Sequence, residues 1–173
     1  RYYNTTMKIL GVDPGSARLG WGIINDQSGN QTVGNYGCLE TKPGKSDSAR
    51  LKDLFDSFNK IIKTTKPDAL AVEDLFFFKN QTTIIKVGQA RGVILLAGEI
   101  NQLACFSYSP LQIKMAVTGY GRADKNQVQQ MTKTILKLTT IPKPDDTADA
   151  LAVALTHAFT HKMKGHLVPN LKV

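Results

Sequence analysis

Four carboxylates in this chain occupy places where a carboxylate needs a reason. Asp13 closes the apolar run Ile9-Leu10-Gly11-Val12 and is followed by Pro14-Gly15. Strand interiors favour Val and Ile and deplete Asp. Pro removes a ladder donor and Gly permits positive φ, so the strand is expected to stop or bend here. Glu73 closes a second run, Ala69-Leu70-Ala71-Val72, with Asp74 behind it. Asp146 and Asp149 lie three apart, on one face of a helix, with Cβ atoms roughly 5–6 Å apart. Turn formation is a sufficient reading of Asp13 taken singly, and helix capping suffices for Asp145 and Asp146. Neither serves for Asp149 in Ala148-Asp149-Ala150-Leu151-Ala152, whose neighbours should face inward. A buried, unpaired carboxylate is costly, so Asp149 calls for a cation.

The elements that must position these groups follow from the apolar patterning. Ile9 to Val12, Gly20 to Ile24, and Thr32-Val33 with Tyr36 to Leu39 predict an antiparallel meander, with Gln27-Ser28-Gly29-Asn30 as a turn. Leu51, Leu54, Phe55, Phe58, Ile61 and Ile62 recur at helical spacing after Ser46 or Asp47 as N-cap, and that helix should end near Thr65, before Pro67. The run at 69–72 then reads as a strand buried on both faces. Strand, helix, strand is the grammar of an α/β sheet, whose ligands collect at the carboxyl ends of strands, so Asp13 and Glu73 are candidates to sit side by side.

Phe76-Phe77-Phe78 cannot all face one core; at least one should be exposed, covered by a second subunit, or stacked on a ligand. Gln81 to Leu103 reads as a long helix, in which Gly88 and Gly92 permit a close approach, within the subunit or across a dimer. Cys105 to Tyr108 is a short strand, Pro110 opens a helix, and Gly119 to Arg122 is a basic loop. Asp124 to Leu138 and Asp145 to about Thr160 complete the helices. His157 reads as a packed or surface histidine rather than a catalyst.

The length of 173 residues fits one domain at 7–160, preceded by a polar stretch at 1–6 read as an extension or remnant and followed by a loose basic tail at 161–173. No apolar run approaches the roughly 20 residues that span a bilayer, and the start does not resemble a signal peptide. Cys38 and Cys105 make no disulfide framework, which favours a reducing, intracellular setting. Lys plus Arg number 22 against 14 Asp plus Glu, a net charge of +8 that suits a polyanionic partner without naming a reaction.

Together these residues resemble the RuvC-type Holliday junction resolvases of the ribonuclease H-like superfamily. The resemblance rests on Ile9 to Gly15 with Gly20 and Gly22; Val72-Glu73 with Phe76 and Lys79-Asn80; Gly88 to Gly92; Gln112-Ile113-Lys114; Lys125 with Gln127-Val128; and Asp146 to Ala152. It implies a mixed five-stranded sheet, an antiparallel meander plus parallel strands, flanked by helices. It places catalytic, metal-holding carboxylates at Asp13, Glu73, Asp146 and Asp149, catalytic lysines at Lys114 and Lys125, and a base-stacking aromatic at Phe76 or its neighbours Phe77 and Phe78. Lys79, Arg91 and Arg122 are further expected DNA contacts. The implied setting is the bacterial cytoplasm and nucleoid, with four-way junction DNA, a second copy of the chain packed through the long helix, and a branch-migration helicase as partners. Leu19, Trp21 and Thr147 depart from the common pattern, and Thr147 is expected to disturb the start of the last helix slightly.

Two unit charges 4 Å apart at an effective dielectric of about 20 repel by about 4 kcal/mol. Hard divalent cations relieve such crowding, so the resemblance implies Mg²⁺, two ions per site, with Mn²⁺ able to substitute. A two-fold dimer would match the symmetry of a four-way junction and give paired nicks. Three rivals stand beside this reading: the actin and sugar-kinase superfamily, which needs a duplicated domain; a junction binder without chemistry; and a nuclease for another branched DNA or an RNA hybrid.

Overall fold

Alternation along two strands decides which carboxylates share a face. In the computed structural model, residues 6–15, 17–41, 44–75 and 81–167 are described, with side chains for all of these except residue 81 and residues 162–167. The elements are β1 (Thr6–Pro14), β2 (Arg18–Gln27), β3 (Asn30–Glu40), α1 (Asp47–Thr65), β4 (Ala69–Glu73), α2 (Gln81–Ile100), β5 (Ala104–Tyr108), α3 (Pro110–Thr118), α4 (Lys125–Ile135) and α5 (Asp145–Leu167). The sheet order is β3-β2-β1-β4-β5, with β1 antiparallel to β2, β2 antiparallel to β3, and β1, β4 and β5 mutually parallel. This is the mixed five-stranded α/β arrangement that the sequence implies.

Successive side chains of a strand point to opposite faces. Leu10, Val12, Leu70 and Val72 pack with Leu54, Phe58 and Ile62 of α1 and Ala90, Ile94 and Ala97 of α2. Ile9 and Ala71 face the other way, into a core with α3, α4 and α5 through Ile113, Val117, Val128, Leu136, Leu151 and Leu155. Asp13 and Glu73 continue the second set, so both aim at the α5 side of the sheet. The contact between α5 and the sheet is unusually close: a Cβ at Gly11 would stand 2.2 Å from the Ala150 carbonyl oxygen, and one at Gly20 would stand 1.9 Å from that of Asp146. Glycines at these two places bring the Asp146–Ala150 turn of α5 against the strands.

The helix boundaries show where local chemistry decides. Ser46 caps α1, its hydroxyl accepting from the Ala49 amide at 3.3 Å. Ser109 and Asp124 make reciprocal capping boxes with Gln112 and Gln127. Two helices stop short of their expected ends. Beyond α2, Gln102 adopts a left-handed φ of 57° and the Leu103 amide turns back to the Gly98 carbonyl at 3.0 Å. After α4, Lys137 at φ 54° brings the Leu138 amide to the Lys133 carbonyl at 2.9 Å. Conversely, α5 continues to Leu167 rather than ending near Thr160, so the first part of the expected tail is helical. At the start of α5 the Thr147 hydroxyl is buried and, among the described residues, finds no hydrogen-bond partner, while the helix begins at Asp145 as expected. Among the described residues no helix is long and apolar enough to cross a membrane. Both cysteines are free thiols.

Candidate active site

The carboxyl ends of β1 and β4 and the first turns of α5 meet at one place. The parallel ladder runs Ile9–Ala69 to Val12–Val72, so the next residues, Asp13 and Glu73, end neighbouring strands. Their side chains share a hydrogen bond. Burial pushes the Asp13 carboxyl well above its ordinary range, and the charges of Glu73, Asp149 and Asp146 add to the shift. Glu73 is also raised, first by burial; the hydrogen bond with Asp13 pulls it down and the Asp149 charge pushes it up. Asp13 and Glu73 therefore hold a proton more tightly than ordinary carboxyls. The charges of Glu73, Asp146 and Asp149 all reach Asp13, and that of Asp149 also reaches Glu73.

Asp149 has found the cation that its surroundings call for. Lys125 Nζ, at the start of α4, lies 2.7 Å from Asp149 Oδ2, and Gln129 Nε2 donates to Oδ1 at 3.1 Å. Burial pulls the Lys125 ammonium down, but the hydrogen bond and charge of Asp149 outweigh it and the net shift is upward. A cavity of about 200 Å³ is lined by Glu73, Asp149, Lys114 and Lys125. A second, of about 560 Å³, is lined by Asp13, Asp146, Gly15, Arg18 and Thr83. The acidic set thus forms the ridge between a lysine-lined cavity and a second one that carries an arginine.

Hard oxygen donors at strand ends, crowded enough to raise a carboxyl, suit a hard divalent cation. Among the described residues, no three His, Cys, Asp or Glu side chains already surround a single point as ligands. The donors are instead paired, Asp13 with Glu73 and Asp149 with Lys125. These are the pairings that a competing cation would replace, so the residues present fit a divalent ion.

The remaining expected site residues are more scattered. Arg122 is exposed in the loop between α3 and α4. Arg91 Nη2 donates to Asp74 Oδ1 at 2.6 Å and to Ser107 Oγ at 2.7 Å, so its guanidinium ties α2 to the ends of β4 and β5. Phe76, Phe77, Phe78 and Lys79 lie outside the described residues. Two participants went unread in the sequence. Gln129 is buried on the apolar face of α4 with Val128 and Thr132, a position where a lone amide signals a polar partner. Arg18, directly after the turn that follows Asp13, gave no signal beyond its charge.

The model of the crossover junction endodeoxyribonuclease RuvC family matches residues 9–157. A relative of that name from Fusobacterium nucleatum is 50% identical over 151 residues, spanning 87% of this chain and 80% of its own length. One from Halothermothrix orenii is 51% identical over 158 residues, 91% of this chain and 95% of its own. Among solved structures, T. thermophilus RuvC in complex with a Holliday junction substrate superposes with a TM-score of 0.87 at 33% identity, covering 91% of this chain and 96% of that one. The yeast mitochondrial Holliday junction resolvase Ydc2 shares the fold, with a TM-score of 0.67 at 11% identity, over 94% of this chain and 85% of its own. With its sheet order, its acidic strand ends and a family match over nearly all the described core, the chain belongs to the RuvC family of crossover junction endodeoxyribonucleases.

Proposed function

We propose that the protein resolves four-way DNA junctions by metal-dependent hydrolysis of one phosphodiester in each of two symmetry-related strands. The observation that carries this reading is the convergence of Asp13, Glu73, Asp146 and Asp149 at the strand ends, where each of the last three raises the Asp13 carboxyl. The names of the relatives and the junction held by the T. thermophilus protein supply the substrate class.

In this reading Asp13, Glu73, Asp146 and Asp149 would hold two Mg²⁺ ions, with Mn²⁺ able to substitute. Bound there, the ions supply Lewis-acid activation of the attacking water and stabilise the leaving oxygen of an in-line displacement. The P–O bond to the leaving oxygen breaks as the bond from water forms, and the leaving oxygen takes up a proton from solvent. Lys114 and Lys125, on the wall of the Glu73–Asp149 cavity, face the charge that develops on the phosphate. Lys125 is then exchanged from Asp149 to the substrate.

A homodimer packed through α2 supplies the second site. Ile85, Leu96 and Ile100 on that helix are 62%, 55% and 57% exposed, and a Cβ at Gly92 would meet nothing within 4 Å. These positions recur at helical spacing and form one apolar stripe. A two-fold axis through that stripe presents two equivalent sites to two equivalent strands.

The test is nicking of a synthetic four-way junction by wild type and Asp13→Asn protein in Mg²⁺. Wild type is expected to give paired nicks, and the variant to bind the junction without cutting. Cutting by Asp13→Asn at the wild-type rate would overturn the assignment.

A further inference from the structure

The 560 Å³ cavity on the Asp13–Asp146 side carries a basic group to which neither the acidic set nor the lysine wall gives a role. Arg18 opens β2 and lines this cavity with Asp13, Gly15, Thr83 and Asp146. Its place is fixed by the catalytic turn itself: a Cβ at Gly15 would stand 2.4 Å from the Arg18 carbonyl oxygen, so only glycine lets the chain fold back so tightly after Asp13. Gly15, Ala17 and Arg18 also line an adjoining narrow crevice that contains Arg50 and Lys86. Arg50 is held by the Thr41 hydroxyl at 2.9 Å, with Asp47 at 3.9 Å. Lys86 makes no ion pair among the described residues. Cations thus continue away from the acidic ridge on the side that lacks Lys114 and Lys125.

Arg18 has one partner that it could surrender. Its Nε lies 3.1 Å from Glu40 Oε1, and the two side chains are 54% and 64% exposed. Arg18 and Glu40 face each other at the end of the β2–β3 ladder. An exposed ion pair holds its members weakly, whereas a guanidinium fits a phosphate in bidentate fashion.

We propose that Arg18 anchors a backbone phosphate of the DNA strand in the Asp13–Asp146 cavity, and that Glu40 competes with the DNA for it. The inference rests on the junction-cleaving reading and adds a second grip on the DNA to it. The strand lies across the acidic ridge with lysines on one side and Arg18 on the other. Glu40 holds the guanidinium until a phosphate replaces it, which lowers affinity for DNA while keeping the anchor in place.

The experiment is fluorescence anisotropy of a labelled four-way junction without divalent ions, so that no strand is cut, from 50 to 200 mM NaCl. Each phosphate contact contributes about 0.9 to the slope of log affinity against log salt. Arg18→Gln should lower the slope by that amount, so that its deficit against wild type changes about threefold across the range. Arg18→Lys, which keeps the charge, should retain most of the slope and serves if the glutamine variant folds poorly. Glu40→Gln should tighten binding, and the gain should shrink when Arg18→Gln is added. Equal slopes for wild type and Arg18→Gln would overturn the anchor, as would a Glu40→Gln gain that is absent or independent of Arg18. Wild type failing to bind the junction at all would remove the junction-cleaving reading as well, which separates the two failures.

Discussion

Asp13 and Glu73, sixty residues apart in the chain, end adjacent parallel strands and share a hydrogen bond. The relationship follows from the pleat: both continue the set of side chains that faces α5. It also sets the site against the stability of its own fold, because carboxylates gathered for a cation repel one another when none is bound.

That conflict gives a pH dependence with a definite sign. The Asp13 carboxyl is raised by burial and by its acidic neighbours. Between the ordinary carboxylate range and this raised value the folded chain binds more protons than the unfolded one, so stability falls as pH rises through that window. The metal-free protein should melt progressively lower across it in thermal scans. Asp13→Asn should flatten the decline and raise Tm at neutral pH, by roughly 2–4 °C for each kcal/mol relieved. A lower Tm for the variant at pH 7 would contradict the repulsion.

Divalent ions should reverse the trend. Ligand carboxylates must be deprotonated, so binding releases protons and weakens at acid pH. Calorimetric titration of Mn²⁺ in buffers of different ionisation enthalpy should show proton release at pH values just above the ordinary carboxylate range, and Asp13→Asn should lose it. Identical apparent enthalpies in all buffers would count against a proton held between Asp13 and Glu73.

The contact that brings α5 to the sheet leaves no room at Gly20. In Gly20→Ala the added Cβ would stand 1.9 Å from the Asp146 carbonyl oxygen and 2.9 Å from the Thr147 nitrogen. Overpacking of this kind costs about 1–3 kcal/mol or more, and here it pushes Asp146 away from its partners. Denaturant unfolding should show that loss, and junction nicking should fall further than stability alone requires.

Behind the site, Tyr108 and the buried His157 meet at 2.7 Å between hydroxyl and Nδ1, with Phe106 against the imidazole at 4.3 Å between ring centroids. Tyr108→Phe removes a hydroxyl partner from a buried ring nitrogen and should cost about 1–3 kcal/mol in urea unfolding. Cleavage should survive at temperatures where the variant is folded. Unchanged stability would mean that the bond carries little.

The α2 stripe offers a separate test. Leu96→Glu places a charge at the centre of the exposed apolar face and should give monomers in analytical ultracentrifugation while leaving the melting of the subunit nearly unchanged. A dimer that persists in this variant would place the two-fold contact elsewhere.

Much of this was legible in the sequence because the signals were local. Val12-Asp13-Pro14-Gly15 states both that a strand ends and that a carboxylate is presented there. The 69–72 run needs its neighbours on both faces, and Asp146 and Asp149 fall on one helix face by spacing alone. What escaped depends on partners distant in the chain. Arg91, expected as a DNA contact, gives no sign in the sequence of its tie to Asp74 and Ser107, and Gln129 gives none of its bond to Asp149. The early ends of α2 and α4 come from left-handed Gln102 and Lys137, residue types that do not announce that conformation. The extra turns of α5 run through polar, basic sequence with no apolar period to mark them.

The most direct measurement is a crystal structure of the protein soaked in Mn²⁺, read by anomalous scattering. The expected result is manganese between Asp13, Glu73 and Asp149, with Lys125 displaced from the 2.7 Å pairing that it now makes with Asp149. Manganese bound only elsewhere on the molecule, with Lys125 still on Asp149 and Asp13 still bonded to Glu73, would contradict the metal-dependent chemistry assigned to these carboxylates.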